Sequence, residues 1–152
     1  MAIRMKTTVT LKAEADCPSH SQSVVALRDL TFSIDEPTER GGTNLGPTPT
    51  ETALAALVGC TNVIGHKCAK ALGVDIGHLR ISAQCAFDRR GVTLAEEIEV
   101  PFQSIDLQVT SDGPATQADL DRVAADTAKY CALAKLFEAA GTKLNIAWTA
   151  AE

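Results

Sequence analysis

Five cysteines are the residues of this chain with the greatest chemical potential, because a thiolate is at once a nucleophile, a metal ligand and a redox-active group. They are Cys17, Cys60, Cys68, Cys85 and Cys131, and no two of them form a C-x-x-C pair. Their number is odd and the chain begins without an export signal, so a framework of structural disulfides is not expected. Each cysteine is therefore either a small core residue or a reactive thiol, and its surroundings must decide which.

Metal binding has little support in the spacing of the potential ligands. Cys17-x-x-His20 and His66-x-Cys68 each supply two such residues. No second pair follows at the distance typical of a zinc finger. We therefore expect neither a metal nor a cofactor, and a metal-binding module is the weakest of the functional hypotheses.

Composition predicts one soluble domain spanning residues 1–152. The formal charge is 14 − 19 = −5 and 45% of the residues are hydrophobic, so a core can form and the basic surface of a nucleic-acid binder is absent. No apolar run reaches the ~20 residues that cross a bilayer. The first six residues lack the apolar stretch of a secretory signal. We expect a cytoplasmic protein that interacts with neither membranes nor nucleic acid.

Alternating polarity predicts strands near the beginning of the chain. Apolar and polar residues alternate over 8–15, and a second strand passes through Leu30, Phe32 and Ile34. The segment 16–23 between them is dense in turn-forming residues. Together these features predict an antiparallel hairpin.

A long helix is predicted after the glycine-rich loop 40–49. Thr48 suits the N-cap, Pro49 suits the first helical position, and Glu51 stands where a capping box needs its acid. The following residues are apolar on every side, which favours a helix buried inside the molecule or against a partner subunit. We expect the helix to end near Leu72, before Gly73.

The second half of the chain continues the mixture of strands and helix. Alternation predicts strands over 79–87 and 98–110, with a turn at 88–91 between them and Pro101 marking an edge or a bulge. Helical spacing covers about 116–140, and a last strand contains Leu144, Ile146 and Trp148. This order of elements predicts an α+β domain.

Spacing alone favours a structural role for the cysteines. Cys60 follows Gly59 in the apolar helix, and Cys131 lies on an alanine-rich helix, so either could simply be a core residue. Cys68 and Cys85 occupy apolar positions of a helix and a strand, and we interpret both as core. Cys17 lies in a polar turn and is expected to be exposed.

Two blocks of the sequence resemble the OsmC/Ohr superfamily of osmotically inducible and organic-hydroperoxide-resistance proteins. The first is GGTNLGPTPTETALAALVGC at residues 41–60, and the second is KYCALAKL at residues 129–136. The resemblance implies an intertwined homodimer in which antiparallel sheets wrap two long central helices. It also implies that two cysteines borne on helices meet in a pocket near the subunit interface.

The resemblance further implies a catalytic cycle of a thiol-dependent peroxidase that belongs to an oxidative stress response. Cys60 would attack a small organic hydroperoxide as a thiolate, and Cys131 would resolve the sulfenic acid into a disulfide. A dithiol reductant of the lipoyl type, or another thiol donor, would then restore both thiols. The catalytic residues are accordingly predicted to be Cys60 and Cys131.

The chain departs from the family pattern at the residues that activate the thiol. Family peroxidases place Glu directly after the helix-opening Pro and Arg in the first hairpin turn, whereas Thr50 follows Pro49 here and the segment 16–23 contains no Arg. Glu51 lies nine residues before Cys60, on the opposite side of the helix, and is better explained as the capping acid. Ala132 stands where the family usually has Pro.

Other groups could lower the pKa of the attacking thiol. Lys67, His66 or a group of the partner subunit are the candidates, with Lys67 nearly on the helix face of Cys60. Arg28 and Arg40 are within plausible reach of a pocket but are expected on the surface. The rival hypothesis follows from the missing Glu and Arg: a non-catalytic dimeric protein that binds a small hydrophobic or thiol-bearing ligand.

Overall fold

A computed structural model describes residues 6–152. Residues 1–5 lie outside the described part. They include the start of the predicted domain and most of the six residues predicted to lack a secretory signal. The chain divides into two compact units between Thr52 and Ala53. Each unit is described by itself.

The first unit contains a three-stranded antiparallel sheet of order β1-β2-β3. β1 spans Glu14–Asp16, β2 spans Ser23–Leu27 and β3 spans Leu30–Ile34. The predicted strand over 8–15 is therefore too long. Glu14 pairs with Ala26 and Leu27 is the last residue of β2, so residues before Glu14 soon run out of partners. The sequence also failed to predict β2, which forms a tight hairpin with β3 through Arg28 at a φ of 59°.

The loop after β3 is organised around the buried carboxylate of Asp35. The backbone amides of Glu36, Thr43 and Leu45 donate hydrogen bonds to this carboxylate at 2.8, 3.2 and 3.1 Å, and the Thr43 hydroxyl donates another. A β-carbon on Gly42 would lie 1.9 Å from the carbonyl oxygen of Glu36. Gly42, in the block at residues 41–60 that resembles the OsmC/Ohr superfamily, therefore allows the backbone to fold closely upon itself.

Helix α1 spans Pro49–Leu72, as the sequence predicted. The capping box is present: Glu51 N–H donates to Oγ1 of Thr48 at 3.2 Å, and Thr48 N–H donates to the Glu51 carboxylate at 2.8 Å. The helix ends at Gly73, whose φ of 68° reverses the chain at low cost.

The second unit contains a three-stranded sheet of order β4-β5-β6. β4 spans Leu79–Phe87, β5 spans Phe102–Ser111 and β6 spans Lys143–Ala150. β4 and β5 are antiparallel, with a register shift near Phe87, whereas β5 and β6 are parallel. A parallel pair needs a crossover connection, and the helices between β5 and β6 supply it.

The predicted helical region 116–140 is divided into two helices. α2 spans Gln117–Tyr130 and α3 spans Ala132–Ala139, with Cys131 between them. The expectation of one continuous helical region was wrong at this residue, whose ψ of 107° takes the backbone out of the helical conformation. Thr116 and Asp119 form a capping box at the start of α2, a signal that the sequence does contain.

The core of the second unit lies between its helices and the inner face of its sheet. One buried cluster joins Cys68 and Ala69 of α1 to Val109, Val123 and Trp148. A second cluster contains Leu57, Ile105, Leu107, Cys131, Ala134 and Phe137. The α+β class predicted from the sequence is confirmed.

Among the described residues, no helix is long and apolar enough to cross a membrane.

Candidate active site

Cys60 lies on α1 and is half-buried. Its side chain packs against the second core cluster, the one that contains Leu57, Ile105 and Cys131. The preceding Gly59 is exposed, and among residues 6–152 no heavy atom outside its local backbone lies within 4 Å of a β-carbon built on it. The residue predicted from the sequence to attack is therefore half-buried, with the apolar groups of this cluster packed against it.

Cys131 ends one helix and begins the next. Its N–H donates to the Thr127 carbonyl at 2.9 Å, and its own carbonyl accepts from Lys135 N–H at 3.1 Å. Its sulfur also accepts a hydrogen bond from Ala134 N–H at 3.4 Å, so the thiol acts as the N-cap of α3. The helix break therefore occurs without the family's proline, and it fixes the orientation of the Cys131 side chain.

The structure brings Cys60 and Cys131 together, although they lie some seventy residues apart in the chain. Burial raises the pKa of the Cys131 thiol, and the neighbouring Cys60 raises it further; the hydrogen bond from Ala134 N–H acts in the opposite direction but is outweighed. Only 1% of Cys131 is exposed. At neutral pH the Cys131 sulfur therefore carries its proton.

The remaining cysteines lie where the sequence predicted. Cys17 is exposed, Cys68 is buried in the first core cluster, and Cys85 is half-buried on β4 with a pKa raised by burial. All five cysteines are free thiols in this structure. Among the described residues there is no group of three or more metal-ligating side chains.

Three charged residues of the first unit, Glu51, Arg40 and Arg28, lie where the sequence predicted, in a helix cap and on the surface. The Thr48 backbone amide holds the pKa of Glu51 below its ordinary value, as expected for a capping acid. Arg40 forms an ion pair with Glu36 at 3.3 Å on the surface. Arg28 is an exposed residue of the β2–β3 turn.

Of the two candidates on α1 itself, one is exposed and the other is held by backbone carbonyls. Lys67 is exposed. The ring of His66 lies between two backbone carbonyls, with Nδ1 at 3.0 Å from the oxygen of Asn62 and Nε2 at 3.1 Å from the oxygen of Gly77. His66 therefore serves to hold the loop after α1 against the helix.

A cavity of about 240 Å³ adjoins Cys131. None of the residues that line it is charged. They are Thr61, Ala124, Ala125, Thr127, Ala128, Cys131, Ala134, Ile146 and Trp148. The Thr61 and Thr127 hydroxyls donate to the carbonyls of Leu57 and Val123 within their own helices. The cavity is therefore apolar, with the Cys131 residue as its one thiol-bearing member.

Sequence reasoning did not identify Trp148 or Gly65 as part of this site. A β-carbon on Gly65 would lie 2.6 Å from Cη2 of the Trp148 indole, so the absence of a side chain on α1 makes room for the ring. The alternation that placed Trp148 in a strand gave no indication that the ring borders a cavity. A glycine inside a predicted helix was the available signal of a close contact.

Comparison with known proteins places the fold. Residues 42–147 match the sequence model of the OsmC-like protein family. The OsmC-like protein from Mycoplasma pneumoniae has a TM-score of 0.79 at 15% identity, covering 95% of this chain and 99% of that one. The organic hydroperoxide resistance protein OsmC from Legionella pneumophila has a TM-score of 0.69 at 15% identity, with coverage of 97% and 100%.

A third structure similar to this chain is the organic hydroperoxide resistance protein OhrB of Bacillus subtilis, with a TM-score of 0.65 at 17% identity and coverage of 92% and 98%. No curated protein matches the sequence. The two sequence blocks that suggested the resemblance contain the glycine-rich loop, the start of α1 and the two neighbouring thiols, Cys60 and Cys131. The chain belongs to the OsmC-like protein family.

Proposed function

We propose that this protein is a thiol-dependent peroxidase that reduces organic hydroperoxides, with Cys60 as the attacking residue and Cys131 as the resolving residue. The observation that carries the proposal is the proximity of these two thiols in an apolar cluster of the second unit. The family and the hydroperoxide-resistance proteins of the same fold support a peroxide-related role.

The first chemical step is a nucleophilic displacement at oxygen. The Cys60 thiolate attacks the terminal oxygen of the hydroperoxide, an S–O bond forms and the O–O bond breaks. The alkoxide takes up a proton and leaves as an alcohol, and Cys60 becomes a sulfenic acid. The partial exposure of Cys60 supports its assignment as the residue that meets the oxidant.

The second step joins the two sulfurs. The Cys131 sulfur loses its proton and attacks the Cys60 sulfur, so that an S–S bond forms and the hydroxyl leaves as water. Burial suits Cys131 to this role because a protonated, enclosed thiol competes poorly for free hydroperoxide but lies beside the sulfenic acid once it forms. An external dithiol then supplies two electrons and restores both thiols.

We further propose that the protein is a homodimer. Large apolar side chains are exposed in each unit, including Leu11 at 90% and Leu30 at 56% in the first and Val63 at 50% on α1. Leu11 and Leu30 line one surface pocket together with Leu27 and Phe32, and a contiguous exposed apolar patch of this kind marks an interface with another chain. Gly59 on the same helix leaves open space within this chain that a second backbone would fill.

Mass spectrometry after a single turnover tests the enzymatic proposal. One equivalent of tert-butyl hydroperoxide should lower the mass of the reduced protein by about 2 Da, the loss of two hydrogens on disulfide formation. Peptide mapping should place the bond between Cys60 and Cys131. Cys60→Ser should abolish peroxide consumption, and Cys131→Ser should allow one turnover and leave a sulfenic acid that dimedone captures.

Cys17→Ser is the matched control, since this exposed thiol belongs to the first unit and should not alter the turnover. Full peroxidase activity in Cys60→Ser would contradict the assignment.

The cavity beside Cys131 supports the second candidate function, a non-catalytic protein that binds a small apolar or thiol-bearing ligand. That function predicts no disulfide after peroxide treatment and an increase in melting temperature when a ligand occupies the cavity.

A further inference from the structure

The sulfur of Cys131 occupies the place at the start of α3 that a capping oxygen usually takes. Ala134 N–H donates to this sulfur at 3.4 Å, and the backbone amide of Leu133 acts on it in the same direction, more weakly. Both amides belong to the first turn of the helix, where N–H groups have no partner within the helix. Hydrogen bonds to an ionised group are roughly twice as strong as those to a neutral one. The two amides therefore favour the thiolate form of Cys131.

The surroundings of Cys131 offer little other stabilisation for a negative charge. The residue is 1% exposed, and none of the residues that line the adjacent cavity is charged. Lys129 forms an ion pair with Asp126 at 2.8 Å, and Lys135 is exposed. The groups that lower the pKa of this thiol are two backbone amides. Because the helix holds them in place, they need no reorganisation when charge develops on the sulfur.

Cys60 opposes the ionisation of Cys131 as long as Cys60 is reduced. Its side chain raises the pKa of Cys131, both through a hydrogen bond with the thiol and through the charge of a Cys60 thiolate. A sulfenic acid in its protonated form carries no charge, so oxidation of Cys60 removes this repulsion. Cys131 is therefore kept protonated before the hydroperoxide reacts and can ionise more easily afterwards.

We propose, building on the peroxidase function above, that the N-terminus of α3 activates Cys131 for the resolving step through the backbone N–H of Ala134. As the Cys131 sulfur attacks the Cys60 sulfenic acid, its S–H bond breaks, the S–S bond forms and the S–O bond of Cys60 breaks. The hydroxyl takes the proton and leaves as water. The N–H of Ala134 stabilises the negative charge that develops on the attacking sulfur, an interaction that is weaker with the neutral thiol before the step and with the neutral disulfide after it.

An amide-to-ester substitution at residue 134 tests the role of this N–H. Lactic acid in place of Ala134 replaces the N–H with an oxygen and keeps the methyl side chain. After one equivalent of tert-butyl hydroperoxide, quenched-flow mass spectrometry should show the Cys60 sulfenic acid forming at the parent rate. It should convert to the disulfide about tenfold more slowly, the effect of losing one hydrogen bond to a charged group.

The matched control is lactic acid in place of Ala132, the first residue of α3, which keeps both N–H donors to the sulfur. This control should form the disulfide at the parent rate. Equal rates of disulfide formation for the esters at residues 132 and 134 would overturn the proposal.

The ionisation of Cys131 tests the same contact without any peroxide. In Cys60→Ser labelled with [3-13C]cysteine, the Cβ resonance of Cys131 reports the protonation of its thiol at each pH. We expect the ester at residue 134 to move the midpoint of this titration upward by about one pH unit relative to the ester at residue 132. Equal midpoints would overturn the proposal. A shifted midpoint in a protein whose Cys60 forms no sulfenic acid would support the contact and contradict only the peroxidase function.

Discussion

The helix residue Gly65 lies directly against the indole of Trp148, so closely that a β-carbon at this position would lie 2.6 Å from the ring. Trp148 also lines the apolar cavity, and it is the single tryptophan of the chain. The contact therefore links α1, β6 and the wall of the cavity, and it provides an intrinsic fluorescent reporter at the place where a ligand would bind.

Gly65→Ala should displace this ring and destabilise the protein. Overpacking a filled core typically costs ~1–3 kcal/mol, more than the gain in helix propensity from Gly to Ala. We expect a lower urea midpoint and a shifted tryptophan emission maximum. Gly91→Ala, away from the ring and with only ordinary contacts at 3.8 Å around the new methyl group, is the control for the emission. Unchanged emission and stability in Gly65→Ala would show that the ring moves aside without cost.

The buried carboxylate of Asp35 should make the stability of the protein depend on acid. Hydrogen bonds from the Thr43 side chain and from the backbone amides of Leu45 and Glu36 hold the pKa of Asp35 well below its ordinary value. A carboxyl group with a lowered pKa stabilises the folded state above its unfolded pKa of ~3.9, and this contribution is lost as the pH falls toward the folded value.

The change to test is Asp35→Asn. We expect this variant to be less stable at pH 7 and to lose less additional stability than the parent protein between pH 5 and pH 3. Urea unfolding at several pH values measures both effects. Parallel stability curves for the two proteins would show that Asp35 does not contribute to the acid sensitivity.

Glu51→Gln should preserve activity, because the structure accounts for this carboxylate as a helix cap. A Gln at this position can still accept the hydrogen bond that Thr48 N–H donates at 2.8 Å. A catalytic acid or base contributes ~10²–10⁴-fold, so a change of about twofold or less in the rate of disulfide formation would agree with the capping role. A loss of a hundredfold would instead place Glu51 in the chemistry.

The sequence predicted the elements whose ends are marked by local signals. Pro49, Thr48 and Gly73 define α1 to the residue, and the alternation over 79–87 defines β4. β2 was not predicted, because Arg28 closes its hairpin in a left-handed conformation without the usual Asn or Gly.

The candidate site was predicted less completely. Periodicity alone favoured a core role for both helical cysteines, and only the resemblance to the OsmC/Ohr superfamily paired Cys60 with Cys131. The break at Cys131 was hidden because strong helix formers lie on both sides of it, and a thiol is an unusual N-cap. The cavity depends on how α2, α3 and β6 pack together, which the sequence does not specify.

Alkylation of Cys131 should be slow and should require high pH. Burial raises the pKa of this thiol, so the reactive thiolate is scarce near neutrality. In Cys60→Ser, iodoacetamide at pH 8 should modify the exposed Cys17 well before Cys131, and the rate at Cys131 should still be rising above pH 9. Cys17 serves as the internal control. Similar rates at the two cysteines would contradict the enclosed position of Cys131.

Gly59→Ala distinguishes a free α1 face from one covered by a second copy of the chain. Within residues 6–152, the new methyl group would meet no neighbouring atom within 4 Å, so in a monomer the substitution should stabilise the helix by ~1 kcal/mol. If a second backbone packs closely at this position, the same methyl group must separate the two copies. We expect the two copies to be separated. Sedimentation should show a dimer for the parent protein, and the variant dimer should dissociate at a higher protein concentration. A more stable variant with unchanged association would show that this face of α1 is free.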